Sequence, residues 1–255
     1  MRYFLKLSYK GTNYHGWQYQ KNASSVQDEV EKALSILTGI SVKTTGAGRT
    51  DTGVHARIFF AHFDSDILFD PDEKNKFIYR MNCILPRDIV IYDLLPVRSS
   101  ANARYDAISR TYHYYICTNK NPFYEGQVYY LFPLPDIELM NGGAEIIKAT
   151  TDFSSFSKTG STTRTNQCKV YEAFWEAKDD LIIFRITADR FLRNMVRAIA
   201  GTLIEAGLAK FPLEHLETII KSKNRSNAGY SLPAEGLFLE HIDYPEEIFL
   251  SDLPE

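Results

Sequence analysis

Tyr3, Leu5, Leu7 and Tyr9 recur at a period of two, which predicts a half-buried strand at the N-terminus. Ser24 and Ser25 offer N-caps for a following helix, on which Val26, Val30, Ala33, Leu34 and Leu37 share one face. A short β-branched stretch at 42–45 leads into a glycine-rich loop, and the apolar run 58–63 leaves it as a second strand. Asp70-Pro71 opens another helix running to about Ile84, with proline suited to the first turn. Ile89-Val90-Ile91-Tyr92 closes this half as a strand.

The alternation resumes in the second half. A strand at 111–118 precedes a helix from Asp136, with Ile137, Met140, Ala144 and Ile147 at helical spacing. Two strands follow near 170–177 and 181–188. A long helix is predicted from Arg190 to about Gly207, then a shorter one from Leu213. Strands and helices mixed in this order predict an α+β fold with mainly antiparallel sheets, in two lobes. A boundary in the segment 96–108 divides them into 1–103 and 104–255.

Composition adds constraints. The 255 residues are 44% hydrophobic and 24% charged, the balance of a soluble protein able to bury a core. Twenty-nine basic residues against 32 acidic ones leave a formal charge of −3, so any polyanion must be held by a local basic region. Cys83, Cys117 and Cys168 are far apart and lack metal-type pairing, and they read as reduced thiols. With no apolar stretch of signal-peptide or membrane-span length, a cytoplasmic protein without membrane contact is expected.

One run is chemically distinctive: Gly46-Ala47-Gly48-Arg49-Thr50-Asp51-Thr52-Gly53-Val54-His55-Ala56. Its glycines permit close backbone approaches, and they surround one carboxylate and one guanidinium two positions apart. The run is no phosphate-binding loop, because no Gly-Lys-Ser/Thr ends it and no Gly-x-Gly-x-x-Gly opens a helix. It contains the Asp-Thr-Gly tripeptide of aspartic proteases, and a homodimer would supply two copies. That chemistry needs two carboxylates sharing a proton, whereas Arg49 favours an ionised Asp51. His55 and His62 lack a third ligand at sensible spacing, so no metal is expected.

The run resembles the catalytic motif of the tRNA pseudouridine synthase A family, and the resemblance extends along nearly the whole chain. Tyr9-Lys10-Gly11-Thr12-Asn13-Tyr14-His15-Gly16-Trp17-Gln18-Tyr19-Gln20 is similar to that family's opening signature, with Ser25-Val26-Gln27 after it. Arg110-Thr111-Tyr112-His113-Tyr114, Asp152-Phe153-Ser154-Ser155-Phe156-Ser157, Phe191-Leu192-Arg193-Asn194-Met195-Val196-Arg197 and Pro233-Ala234-Glu235-Gly236-Leu237 follow in the family's order. Thr52 stands where the family has alanine, and Ala149-Thr150-Thr151 replaces a Gly-Glu-His-like run. The loop at 158–168 also differs. These departures touch loop geometry and RNA contacts, not the reaction.

The resemblance implies two ferredoxin-like lobes joined around a central RNA-binding cleft, and isomerisation of uridine in the anticodon stem-loop of tRNA. It implies a homodimer bridged by tRNA, and no cofactor. Asp51 matches the catalytic aspartate, which attacks the sugar covalently or removes a sugar proton to give a glycal; both routes stay open. Arg197 matches the arginine paired with it, and Tyr112 the tyrosine that stacks on the flipped uracil. Arg49 matches the residue filling the space left by the extracted nucleotide. On a helix, Arg190, Arg193 and Arg197 would share one face, and an arginine stripe suits phosphate contacts. Lys158, Arg164 and Lys169 surround a polar loop that reads as RNA-facing or simply solvated. Trp17 and Tyr14 read either as RNA contacts or as packing under the N-terminal loop. A non-catalytic RNA-binding protein of the same fold is the alternative, though binding alone needs no carboxylate facing RNA.

Overall fold

A computed structural model describes residues 1–160 and 163–250. In chain order the elements are β1 (Arg2–Tyr9), α1 (Val26–Thr38), β2 (Thr45–Gly46), β3 (His55–Asp64), α2 (Pro71–Ile84), β4 (Ile89–Val97), β5 (Ser109–Cys117), β6 (Tyr129–Tyr130), α3 (Ile137–Ala149), β7 (Val170–Lys178), β8 (Leu181–Ala188), α4 (Met195–Gly207), α5 (His215–Ser222) and β9 (Leu237–Asp243). The fold is α+β with mainly antiparallel strand pairing. The chain divides into two units: Met1–Ile108 with the segment from Leu239 onward, and Ser109–Phe238. Among the described residues no helix is long and apolar enough to cross a membrane.

In the first unit the strand order is β4-β1-β3-β9, with β2 added to β3. Tyr3, Leu5, Leu7 and Tyr9 are buried on one face of β1, as their alternation predicts. Phe4 is buried too, because its ring packs against Phe60, Tyr244 and Phe249 on the opposite face. The strand is therefore covered on both sides at this point rather than half-buried. β4 runs to Val97, five residues beyond the stretch its apolar pattern marks, and it accommodates Pro96 because it lies at the sheet edge.

The helices start where their caps dictate. The Ser25 hydroxyl accepts the Asp28 N–H at the head of α1, and Asp70 with Glu73 forms a capping box at the head of α2. Helix α1 then fixes the chain entering the glycine-rich loop. Buried Glu31 accepts the N–H of Thr44 at 2.8 Å, its hydroxyl at 3.2 Å and the Gln27 side-chain amide at 2.9 Å. Gln27 in turn donates to the Thr44 carbonyl at 2.9 Å. Ser25-Val26-Gln27 thus belongs to a structural tie between α1 and the residue preceding β2.

In the second unit β5, β8 and β7 pair antiparallel in that order, β6 adds in parallel to β5, and α3 packs on β7 and α4. Asp136 caps α3 by accepting two N–H groups. Cys117 and Cys168 are buried and Cys83 is exposed, and burial pushes the Cys168 thiol up to about 12.

Glu31→Ala leaves the buried Thr44 N–H without its acceptor and should cost about 2 kcal/mol, a fall in Tm of roughly 4–8 °C. Lys32→Ala removes only exposed ion pairs with Asp28 and Glu29 and should cost less than about 0.5 kcal/mol. Equal losses in thermal melts of the two variants would contradict this account of Glu31.

Candidate active site

Between β2 and β3 the chain makes a turn in which the Val54 N–H donates to the Asp51 carbonyl at 3.2 Å, with Gly53 at φ 82°. Asp51 is half-buried, and Arg49 and Thr52 beside it are exposed. What shapes this turn is the segment after β1. The Cα of Gly11 lies against the Val54 carbonyl, and that of Gly16 against the Thr50 carbonyl, so closely that any Cβ would overlap the oxygen. Gly16 also adopts φ 86°, a conformation open to glycine at little cost. The Gly53 N–H reaches the Tyr14 carbonyl at 3.3 Å, and the His55 Nδ1 accepts the Gly11 N–H at 3.0 Å. His55 therefore carries no proton on Nδ1 and serves the loop as a buried acceptor.

Trp17 and Tyr14 of this segment are packing residues within the first unit, whereas Tyr19 is exposed. Trp17 and Tyr14 are 2% and 5% exposed, which places them under the loop rather than at the surface. The Trp17 ring lies 4.3 Å from that of Phe59 and covers Gly46, leaving no room for a side chain there. The Tyr14 hydroxyl donates to Asp88 at 2.6 Å, and burial beside that carboxylate raises its pKa. The second histidine, His62, accepts the Ala103 N–H at 3.1 Å, and burial lowers its pKa. Both imidazoles have structural partners.

The other site residues of the sequence reading lie in the second unit. Tyr112 pairs with Ile186 across β5 and β8, and its ring meets the edge of Phe191 at 5.1 Å. Tyr114 and Ile116, on the same face of β5, are fully buried, while Tyr112 is half-buried. The Tyr114 hydroxyl donates to the Pro233 carbonyl at 2.7 Å, and Gly236 leaves space for the Tyr114 ring. The segment 233–237 is thereby seated on β5.

The long helix expected from Arg190 begins instead at Met195. Asn194 adopts φ 68°, in the left-handed region, and this breaks the helical path before it. Upstream, the Asp189 carboxylate accepts the N–H groups of Arg190 at 2.7 Å and Lys169 at 2.8 Å, holding the chain in a turn. Arg190 and Arg193 therefore do not share a helical face with Arg197. Arg197 sits in the first turn of α4 and is tied twice to Leu232: its Nε donates to the Leu232 carbonyl, and its own carbonyl accepts the Leu232 N–H. Lys158 donates its backbone N–H to the Arg193 carbonyl at 3.0 Å, and both residues are exposed. Positions 161 and 162 of the loop at 158–168 lie outside the described residues.

Asp152 caps its own turn by accepting the N–H and hydroxyl of Ser154, and an ion pair with Lys223 at 2.8 Å holds its carboxyl below the usual range. Phe153 and Phe156 are fully buried and the Ser155 hydroxyl donates to the Ile219 carbonyl, so this motif fastens α5 to the unit. The bracing roles of Gly11, Gly16, Thr50 and His55 are absent from the sequence reading. The spacing of the glycines in Gly11-Thr12-Asn13-Tyr14-His15-Gly16 was their only signal.

A family model described as tRNA pseudouridine synthase matches residues 149–245. A protein named tRNA pseudouridine synthase A from Porphyromonas gingivalis is 48% identical over 252 residues, covering 98% of this chain and 99% of its own. One of the same name from Parabacteroides distasonis is 44% identical over 253 residues, covering 97% and 98%. Another, from Acetivibrio thermocellus, is 40% identical over 242 residues, covering 94% and 98%.

The close approach at Gly16 separates two costs of a side chain. Gly39 caps α1 at φ 73° with open space around it, so Gly39→Ala should cost about 1 kcal/mol from backbone strain alone. Gly16→Ala adds displacement of the Thr50 carbonyl and should cost at least about 2 kcal/mol more. Urea unfolding compares the two, and equal losses would contradict the brace.

Proposed function

The chain belongs to the tRNA pseudouridine synthase A family, and on that premise we propose that it isomerises uridine to pseudouridine in the anticodon stem-loop of tRNA, with Asp51 as its catalytic carboxylate. The observation that carries the reading is the half-buried Asp51 on a turn braced from below by Gly11 and Gly16. A surface turn with merely solvated charges would need no such brace.

The reaction breaks the N1–C1′ bond, turns the base, joins C5 to C1′ and moves the C5 proton to solvent while N1 gains one. Nothing is oxidised and no atom is added, so acid–base and nucleophilic groups suffice. Asp51 attacks C1′ or removes a sugar proton; either route needs the carboxylate placed to within a fraction of an ångström. In this reading Arg197 is its cationic partner, and the Leu232 backbone fixes the direction of that guanidinium. Tyr112, on a strand and steadied by Phe191, stacks on the detached uracil and stands where the C5 proton leaves. Such stacking contributes roughly 1–3 kcal/mol per base.

Arg49 is exposed beside Asp51 and fills the gap in the stack left by the extracted nucleotide. Arg190, Arg193 and Lys158 meet phosphates; Arg193 and Lys158 are exposed and joined through their backbones at the turn before α4. A net charge of −3 makes such local clustering necessary and favours a homodimer in which one tRNA engages both subunits.

Asp51→Asn should fold and bind tRNA yet lose at least ~10³ in single-turnover tritium release from tRNA carrying 5-³H-uridine, about 4 kcal/mol of barrier. Substantial residual turnover would remove Asp51 from its role. Binding of tRNA should weaken linearly in log Kd against log salt, and a flat response would contradict the phosphate contacts assigned here.

A further inference from the structure

Two threonines flank Asp51, and their surroundings differ. Thr52 is exposed. The Thr50 hydroxyl accepts the Trp17 N–H at 3.0 Å and lies 3.0 Å from the Tyr9 hydroxyl, while the Thr50 carbonyl rests on the Cα of Gly16. Side chain and carbonyl of Thr50 thus both bear on the same peptide, Gly16–Trp17. Two attachments from one residue to one rigid unit restrict both of its backbone torsions, and the next Cα along the chain is that of Asp51.

The residues receiving these attachments are themselves packed, with Trp17 2% exposed. Tyr9 is 3% exposed at the end of β1, and its ring packs on Phe59 at 5.6 Å and Trp17 at 6.3 Å. A threonine hydroxyl can accept one hydrogen bond and take part in another, and this one is used in both ways.

Resting on the reading of Asp51 as the catalytic carboxylate, we propose that Thr50 is a positioning residue for the isomerisation: its hydroxyl, tied to Trp17 and Tyr9, sets the direction in which Asp51 meets the nucleotide. The hydroxyl itself touches no reacting atom. Its removal therefore alters the rate of the chemical step and leaves tRNA affinity alone.

The test compares single-turnover tritium release and tRNA Kd for wild type, Thr50→Val, Thr50→Ser and Thr52→Val, with melting curves for each. Thr50→Val keeps the shape and deletes the hydroxyl; it should slow the step about 10–100-fold with Kd within about twofold. Thr50→Ser restores the hydroxyl and should recover to within about threefold of wild type. Thr52→Val should stay within about twofold. Thr50→Ala, which cannot overpack, is expected to match Thr50→Val, and it stands in if the valine variant melts early. A wild-type rate in the hydroxyl-less variants, an equal loss in Thr50→Ser or Thr52→Val, or a loss confined to Kd would overturn the proposal. If wild type turns over and Thr50→Val does too, only the role of Thr50 fails. Wild type that releases no tritium from unmodified tRNA would overturn the reading of Asp51, and this proposal with it.

Discussion

Backbone lying directly on backbone at Gly11 and Gly16 is the constraint on which the site depends. Each contact forbids a Cβ, and Gly16 adds a left-handed φ, so the segment after β1 can serve as a floor only if both positions are glycine. Around these contacts the other bonds fall into place: His55 to Gly11, Gly53 to Tyr14 and Thr50 to Trp17. The opening signature of the chain, some 35–40 residues from Asp51, holds it in place. Catalysis by a single carboxylate gains most from such rigidity, because misplacement by about 1 Å can cost 10²-fold in rate.

A second constraint is electrostatic. A chain with more carboxylates than cations must expose its arginines and lysines locally to hold a polyanion. The turn before α4 leaves the helical path and exposes Arg193. Asn194 and Asp189 together turn the chain, and the Arg193 carbonyl there accepts the Lys158 N–H.

Much of this was legible in the sequence, for physical reasons that differ by element. Helices α2 and α3 could be read to the residue at their starts, because Asp70-Pro71 and Asp136 carry their own caps. Strand β8 was equally plain from its run of apolar residues. The start of α4 was not, since a left-handed Asn194 leaves no trace in hydrophobic periodicity. Strand β9 escaped notice because Leu237, Phe238 and Leu239 are buried in succession, which blurs the alternation that marks a strand. In the site, Asp51 and its glycines stood out as a motif. The part played by Thr50 did not, because a hydroxyl shared between a backbone N–H and a tyrosine is a property of packing and not of spacing.

The most direct test of the account is to locate pseudouridine in an unmodified tRNA transcript after incubation with the purified protein and no added cofactor. Carbodiimide adducts read by primer extension report each pseudouridine by position. The account predicts pseudouridine, read as adducts, in the anticodon stem-loop, with the mass of the tRNA unchanged before the carbodiimide is added. A transcript that carries none, or carries them only outside the anticodon stem-loop, would contradict it.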